Sequence, residues 1–219
     1  MRTSGAWFAH TIELALLGFA LVHVDAVAAT RVHPAIYGGM SMCKYAYEAR
    51  RLYDPDVVDR AFKIGPSAGV MLVYPSLTSL GVETGLAYDR KGGAVTLPTN
   101  YDQEPRYDIN FALSYLSIPV AVRVPVRRGA KTSLYAKAIG ELSFLLSAGY
   151  GDVDLKDSTR RIDLGVGGGL GCGCELGGRT LFLETTYVHG LLDVAEPSAP
   201  VFDVRASNRE FRFAAGVFL

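Results

Sequence analysis

The stretch that decides the fold is residues 161–192, RIDLGVGGGLGCGCELGGRTLFLETTYVHGLL. In its first half, one set of alternate positions is apolar apart from Gly168: Ile162, Leu164, Val166, Leu170, Cys172, Cys174 and Leu176. The other set carries glycine and charge: Arg161, Asp163, Gly165, Gly167, Gly169, Gly171, Gly173 and Glu175. Successive side chains of a strand point to opposite faces. The pattern therefore predicts a strand of a small transmembrane barrel, with lipid outside and a packed polar interior.

The composition indicates one all-β domain. The chain has 219 residues, 24 of them Gly, 12 Tyr and 10 Phe, and its formal net charge is zero. Many glycines and tyrosines with modest charge are typical of a β protein with many turns. A nucleic-acid-binding protein would normally carry a basic stripe, and none is evident, so we expect no nucleic-acid partner.

The N-terminus has the features of a signal peptide. An apolar run from Leu14 to Val24, interrupted only by His23, is followed by the small residues Ala26-Val27-Ala28-Ala29. The run is too short for a membrane-spanning helix and has the length of a signal-peptide core. We therefore predict a signal peptide over 1–29 and a barrel domain over 30–219. The alternative is an N-terminal helix that the mature protein retains.

The rest of the chain contains eight strand candidates, and most of them alternate with period two. They cover 34–43, 62–74, 80–89, 108–126, 132–148, 161–176, 180–192 and 208–219. Short connections at Pro75–Ser79, Arg127–Lys131 and Gly177–Arg179 alternate with long ones at about 44–61, 90–107, 149–160 and 193–207. This layout is typical of an eight-stranded antiparallel up-and-down transmembrane β-barrel. Such a barrel has long loops at one end and short turns at the other.

The fourth strand candidate has two phases. Phe111, Leu113 and Tyr115 share one phase, whereas the apolar residues from Leu116 to Val124 share the other. One extra residue would reconcile the two phases. We therefore predict a β-bulge near Tyr115.

In this register, charged side chains of both signs point into the barrel. They are Glu83, Arg123, Lys137, Glu141, Asp163, Glu175, Glu184, Glu210 and Arg212. An unpaired buried charge costs several kcal/mol, so we expect these groups to pair. The row Gly165, Gly167, Gly169, Gly171 and Gly173 would leave room for the charged side chains opposite it. Eight strands enclose little more than side chains, so we predict a plugged polar lumen without a large pore.

Tyrosines lie near the predicted strand ends, at Tyr74, Tyr88, Tyr107, Tyr150 and Tyr187. Aromatic side chains are enriched where a membrane protein crosses the bilayer interface. These residues therefore predict aromatic girdles, although tyrosine is also a common strand residue.

Several of these strands resemble a known family. They are Tyr115–Arg123 (YLSIPVAVR), Tyr135–Ala148, Asp163–Gly171 (DLGVGGGLG), Leu183–Leu191 (LETTYVHGL) and Asn208–Leu219. The chain resembles the OmpA-like eight-stranded outer-membrane barrels of Gram-negative bacteria, and most of all their PorT-like branch. The resemblance implies location in the outer membrane, contact with its lipid and insertion by the barrel-insertion machinery. It implies no catalytic set.

Few residues suggest chemistry. His189 and Asp193, with Ser147 or Ser207, could form a hydrolase-like set at the barrel rim, but no nucleophile motif accompanies them. Asp152, Asp154 and Asp157 lack the glycine and distal glutamate of a calcium loop, which favours a solvated loop. Cys172 and Cys174 are better explained as small apolar wall residues than as metal ligands. We therefore predict no catalytic, metal or cofactor site.

Three functions remain open at this stage. The first is a non-enzymatic, monomeric outer-membrane barrel with a structural, adhesive or assembly-accessory role, whose long extracellular loops carry recognition. The second is a soluble periplasmic or secreted barrel that binds an apolar ligand inside. It requires the apolar face of every strand to point inward and the charged face outward, the reverse of the arrangement above. The third is a lipid-modifying enzyme that uses the rim residue His189.

Overall fold

The computed structural model describes residues 32–49, 59–75, 80–100, 103–195 and 204–219. The predicted signal peptide lies outside the described residues. The strands within these ranges are β1 (His33–Ala49), β2 (Asp59–Ala61), β3 (Lys63–Pro75), β4 (Gly81–Asn100), β5 (Gln103–Arg128), β6 (Thr132–Tyr150), β7 (Val153–Asp154), β8 (Ile162–Leu176), β9 (Arg179–Gly190) and β10 (Val204–Phe218). A short 3₁₀ helix covers Lys156–Ser158. Across the described ranges, no helix has the length and apolar character needed to cross a membrane.

Eight of these strands close into a barrel. β1, β3, β4, β5, β6, β8, β9 and β10 each pair antiparallel with the next, and β10 pairs with β1 to complete the ring. The short β2 pairs with β4, and the short β7 pairs with β6. The predicted eight-stranded antiparallel up-and-down barrel is therefore confirmed.

One predicted loop is a hairpin instead. Residues 90–107 were expected to be a long connection, but β4 continues to Asn100 and β5 begins at Gln103, with the ladder unbroken as far as Pro98↔Arg106. The structure accommodates Pro98 beside a register shift, where a missing backbone donor is tolerated.

The barrel is apolar outside and polar inside. Outward side chains such as Ile64, Leu170 and Leu183 are 63%, 60% and 60% exposed, whereas the inward Asp89 and Glu210 are 0% and 1% exposed. A soluble barrel would need the opposite arrangement, because burying apolar surface drives its folding. The apolar-ligand alternative, which required an apolar interior, is therefore wrong.

The predicted bulge lies on the neighbouring strand. β5 keeps a single phase, with Leu113 and Tyr115 buried inside and Leu116 exposed outside. The extra residue is on β6, where Tyr115 pairs with Leu145 and Ser114 pairs with Ser147. The two-phase interpretation failed because it placed every apolar residue against lipid, whereas this end of the lumen is itself apolar.

Apolar clusters occupy both ends of the lumen. At the long-loop end, Leu113, Tyr115, Leu145, Ala148 and Ala206 pack together, joined by partly buried loop side chains such as Leu155 and Val194. At the short-turn end, the cluster consists of Ala35, Met71, Val73 and Phe182, with Tyr37 and Phe218 packed against it. The polar part of the lumen lies between them.

Candidate functional site

The first group of buried charges lies nearer the short turns, and we call it the short-turn cluster: Glu83, Arg123, Lys137 and Glu184. Nη2 of Arg123 lies 2.9 Å from Oε2 of Glu83 and 2.9 Å from Oε1 of Glu184. Nζ of Lys137 lies 2.9 Å from Oε1 of Glu83 and also pairs with Oε2 of Glu184. Two carboxylates thus share two cations, and the cluster is neutral.

Tyr135 on β6 joins the short-turn cluster to the glycine row. Its hydroxyl donates to Oε1 of Glu184 at 2.6 Å, and the Arg123 guanidinium lies 3.9 Å from the centre of its ring. A Cβ added at Gly171 would overlap this ring. The absence of a side chain at Gly171 therefore lets the tyrosine lie flat against β8.

The second group lies nearer the long loops, and we call it the long-loop cluster: Asp89, Lys91, Glu141, Glu210 and Arg212. Nη2 of Arg212 lies 2.8 Å from Asp89, 3.0 Å from Glu141 and 3.2 Å from Glu210. Nζ of Lys91 lies 2.8 Å from Glu141 and 3.3 Å from Glu210. Three carboxylates share two cations here, and all five residues are buried.

Three buried serines complete the hydrogen bonding of the long-loop cluster. Ser67 Oγ donates to Asp89 Oδ1 at 2.6 Å, and Ser143 Oγ donates to Glu141 Oε1 at 3.1 Å. Ser117 and Ser143 are hydrogen-bonded to each other at 2.8 Å. Hydroxyl donors add to the ion pairs in satisfying the carboxylate oxygens, which a low-dielectric interior requires.

The carboxylates of the long-loop cluster are close enough to hold a metal ion. Oxygens of Asp89, Glu141 and Glu210 lie within 4.8 Å of one another. Each of these carboxylates, however, already accepts a charged bond from Arg212. The arrangement therefore supports internal neutralisation of charge better than binding of a metal ion.

The structure brings together most of the charges predicted to point inward. Seven of them make up the short-turn cluster and part of the long-loop cluster: Glu83, Arg123, Lys137, Glu141, Glu184, Glu210 and Arg212. Asp163 is buried and accepts a bond from Asn208 Nδ2 at 2.9 Å. Glu175 is exposed at the end of β8 and lies outside both clusters, because it pairs with Thr180 next to the short turn between β8 and β9.

Two members of the long-loop cluster were missing from the predicted set. Asp89 is the last residue of the strand candidate 80–89 but was not among the predicted lumen charges, and Lys91 fell in the segment predicted as a loop. The alternation of β4 continues through both residues. Extending the period-two pattern past Asp89 would have found Lys91.

The glycine row lines the lumen, but its main neighbours are not charges. A Cβ at Gly165 would meet Val188, one at Gly171 would meet Tyr135, and one at Gly167 would meet the β9 backbone. Of the charged residues, Glu141 makes an ordinary contact, with its Cβ 3.9 Å from the added atom at Gly165. The prediction that the row admits charged side chains is therefore corrected: it admits an aromatic ring, a valine and neighbouring backbone.

The predicted rim residues are not assembled into a catalytic set. Oδ1 of Asp193 accepts the backbone N–H groups of Ala195 at 3.2 Å and Ala206 at 3.0 Å. His189 faces outward beside Tyr187, with Nδ1 3.5 Å from the tyrosine hydroxyl. Ser147 lies on β6, which does not pair with β9. The carboxylate of Asp193 orders its own loop through the two backbone bonds and is not directed at His189.

Other candidates from the sequence occupy surface positions. Cys172 and Cys174 are exposed on the outer face of β8, and all three cysteines are free. Asp152, Asp154 and Asp157 are exposed in the connection between β6 and β8. Asp154 accepts the backbone N–H of Lys156 at 2.9 Å, as in a short polar turn.

The closed eight-stranded ring, its apolar exterior and its charged interior are typical of transmembrane β-barrels. Residues 28–196 match the family model described as outer membrane protein beta-barrel domain. The chain belongs to this outer-membrane β-barrel family. An outer-membrane β-barrel protein is located in the bacterial outer membrane, with its short turns periplasmic and its long loops extracellular. The PorT-like branch is not distinguished by this match and stays a prediction.

The chain is similar to several solved outer-membrane protein structures. OprG from Pseudomonas aeruginosa is 11% identical, covers 89% of this chain and 99% of its own, and has a TM-score of 0.55. Neisserial surface protein A is 15% identical over 85% and 96% of the two chains, with a TM-score of 0.48. Ail from Yersinia pestis is 15% identical over 86% and 99%, with a TM-score of 0.43. No curated protein sequence matches the chain.

Proposed function

We propose that this outer-membrane barrel is closed to ions, has no enzymatic activity and acts through its extracellular strands and loops in a structural, adhesive or assembly-accessory role. The observation that carries the proposal is the occupied lumen. Two ion-pair clusters fill its centre, and an apolar cluster lies at each end. An ion that entered would have to displace paired charges or cross apolar packing, both of which are costly.

Several strands are longer than a bilayer crossing requires and extend on the extracellular side. β4 has 20 residues and β5 has 26, whereas a strand needs only about 9–11 residues to cross a bilayer. Their ladder extends to Asn100↔Gln103, and the β1–β10 ladder extends to Ala49↔Val204. Both ladders therefore project from the long-loop end, where a partner outside the cell would meet them first.

The rim side chains are already engaged in other hydrogen bonds, and this supports the non-enzymatic part of the proposal. Asp193, which a hydrolase-like set would use to orient His189, instead accepts two backbone N–H groups. A general base needs a positioned acid or nucleophile within about 2.6–3.2 Å. His189 has its nearest side-chain partner, Tyr187, at 3.5 Å.

Planar-bilayer recording tests closure. The purified, heat-modifiable protein should give no stepwise conductance beyond that of a bilayer treated with detergent alone, because the lumen is filled. The matched comparison is a variant with smaller lumen side chains, Arg123→Ala/Phe182→Ala. It removes one charge from the short-turn cluster and one side chain from the apolar cluster at the short-turn end. Regular conductance steps from the unaltered protein would overturn closure.

Surface display tests recognition. A variant in which 94–109 is replaced by a two-residue turn should still fold and reach the outer membrane, because the barrel wall is untouched. Cells that display the full chain should aggregate or attach to immobilised glycan or protein more than cells that display the shortened variant. Equal attachment by both would remove the extended hairpin from the proposal.

A further inference from the structure

A row of basic side chains crosses three adjacent strands on the outer face of the barrel. Lys44 on β1 is directly opposite Arg209 on β10, and Arg209 is directly opposite His189 on β9. Arg209 is exposed and the other two are half-buried. Residues opposed in this way have Cβ atoms about 4.5–5.5 Å apart. We call Lys44, Arg209 and the adjoining His189 the cationic row, after the charges of Lys44 and Arg209.

The cationic row has no acidic partner among the described side chains. Lys44 lies over the ring of Phe62, with Nζ 5.0 Å from the ring centre. Neither Lys44 nor Arg209 forms an ion pair with a described carboxylate. Like charges directly opposite in a ladder destabilise a sheet. A bound anion that bridges Lys44 and Arg209 would remove this repulsion.

An aromatic level lies directly below the cationic row. Phe211 on β10 pairs with Tyr187 on β9 and with Met42 on β1. The Phe211 and Tyr187 ring centroids are 4.8 Å apart. Aromatic residues mark the level at which a barrel leaves the hydrocarbon. The cationic row therefore begins where lipid headgroups begin.

Between the aromatic level and the short turns, where the exposed Arg179 begins β9, the outer faces of the same three strands carry no charge. The outward residues in this band are Ile36, Gly38, Met40, Leu181, Leu183, Thr185, Phe213, Ala215 and Val217. At about 3.3 Å per residue and a tilt of about 40°, Arg209 lies about 25 Å above Leu219 along the membrane normal. The apolar band of such barrels is about 25 Å tall. This spacing places the cationic row at the outer-leaflet headgroups.

We propose that the cationic row binds the phosphate groups of phosphorylated lipid headgroups in the outer leaflet. Guanidinium and ammonium groups form strong charge-assisted hydrogen bonds with phosphate. A phosphate between Lys44 and Arg209 would accept hydrogen bonds from both side chains. The acyl chains of the same lipid would pack on Phe211, Phe213 and the apolar wall below. The inference is independent of the role proposed for the loops.

The test compares phosphatidylcholine vesicles that contain bis-phosphorylated lipid A with vesicles that contain an uncharged glycolipid. With lipid A, the temperature at which the folded gel band is lost should rise by several degrees for the unaltered protein. The variant Lys44→Gln/Arg209→Gln should lose more than half of that rise. The matched control Arg128→Gln/Arg179→Gln, with exposed arginines at the short-turn end, should keep it. A full rise in the first variant would overturn the proposal.

A free-anion control separates the two sources of phosphate. Millimolar inorganic phosphate added to vesicles without lipid A should leave the melting temperature unchanged. If it reproduced the rise, the row would be a site for a soluble anion, and the lipid proposal would fail.

A measurement on the unaltered protein keeps the test valid if the variants fold poorly. Acetylation of Lys44 by an amine reagent, followed by mass spectrometry, should slow severalfold in lipid A vesicles. Lys131, exposed in the turn between β5 and β6, should react at the same rate in both vesicles. Equal acetylation of Lys44 in both vesicles would overturn the proposal.

Discussion

Arg212 on β10 donates across the lumen to Asp89 on β4 at 2.8 Å, although the two residues are 123 positions apart in the chain. The same Nη2 also lies within ion-pair distance of Glu141 and Glu210. β4 and β10 do not pair with each other. This contact therefore links strands that lie three places apart around the ring, and it forms only when the ring is closed.

Replacing Arg212 should damage the barrel severely. Arg212→Met leaves three buried carboxylates with Lys91 as the remaining cation, and breaking a buried pair costs about 3–5 kcal/mol. Urea unfolding in detergent micelles, followed by the gel shift between folded and boiled protein, measures the loss. Arg179→Met removes an exposed arginine and should change the free energy of unfolding little. Equal effects of the two substitutions would contradict a structural role for the long-loop cluster.

The short-turn cluster should show charge balance in a double-mutant cycle. Lys137→Met alone leaves Glu83 and Glu184 with one cation, Arg123. Adding Glu83→Gln restores equal numbers of acids and cations, so the double variant should be more stable than Lys137→Met. The coupling free energy should fall in the range of about 0.5–3 kcal/mol found for residues in contact. Additive losses would show that the groups act independently.

Gly171 and Gly140 should respond differently to the same substitution. A Cβ at Gly171 would overlap the Tyr135 ring, whereas one at Gly140 on the outer face would meet nothing within 4 Å. Gly171→Ala should cost about 1–3 kcal/mol through overpacking. Gly140→Ala should be neutral or stabilise by about 0.4–1 kcal/mol, because it restricts the unfolded chain. Thermal or urea unfolding of both variants checks the contrast.

Tryptophan fluorescence should report which face meets lipid. The one native tryptophan is Trp7, which lies in the predicted signal peptide, so the barrel domain 30–219 contains no tryptophan of its own. In vesicles of brominated phospholipid, Leu170→Trp and Leu183→Trp should be strongly quenched, because both positions are 60% exposed on the outer face. Phe182→Trp, at a position 2% exposed inside the lumen, should be quenched weakly. Strong quenching at residue 182 would contradict the register.

The strand pattern was largely predictable because lipid enforces it. Each wall strand must present apolar side chains on alternate positions, and this period is visible in the sequence around Leu164, Leu183 and Phe213. The interpretation failed where this constraint ends. Leu113 and Tyr115 face inward in the apolar cluster at the long-loop end, and residues past Asp89 continue as strands although no bilayer surrounds them.

The sequence alone determined the strand number, the outward face of most strands and the inward direction of the buried charges, because local alternation encodes them. The tertiary structure alone decided which charges pair, for instance Arg212 with Asp89 and Arg123 with Glu184. Closure and stagger of the ring set these distances. The ladder register likewise placed Lys44 beside Arg209, and residues 165 positions apart in the chain give no local signal of that contact.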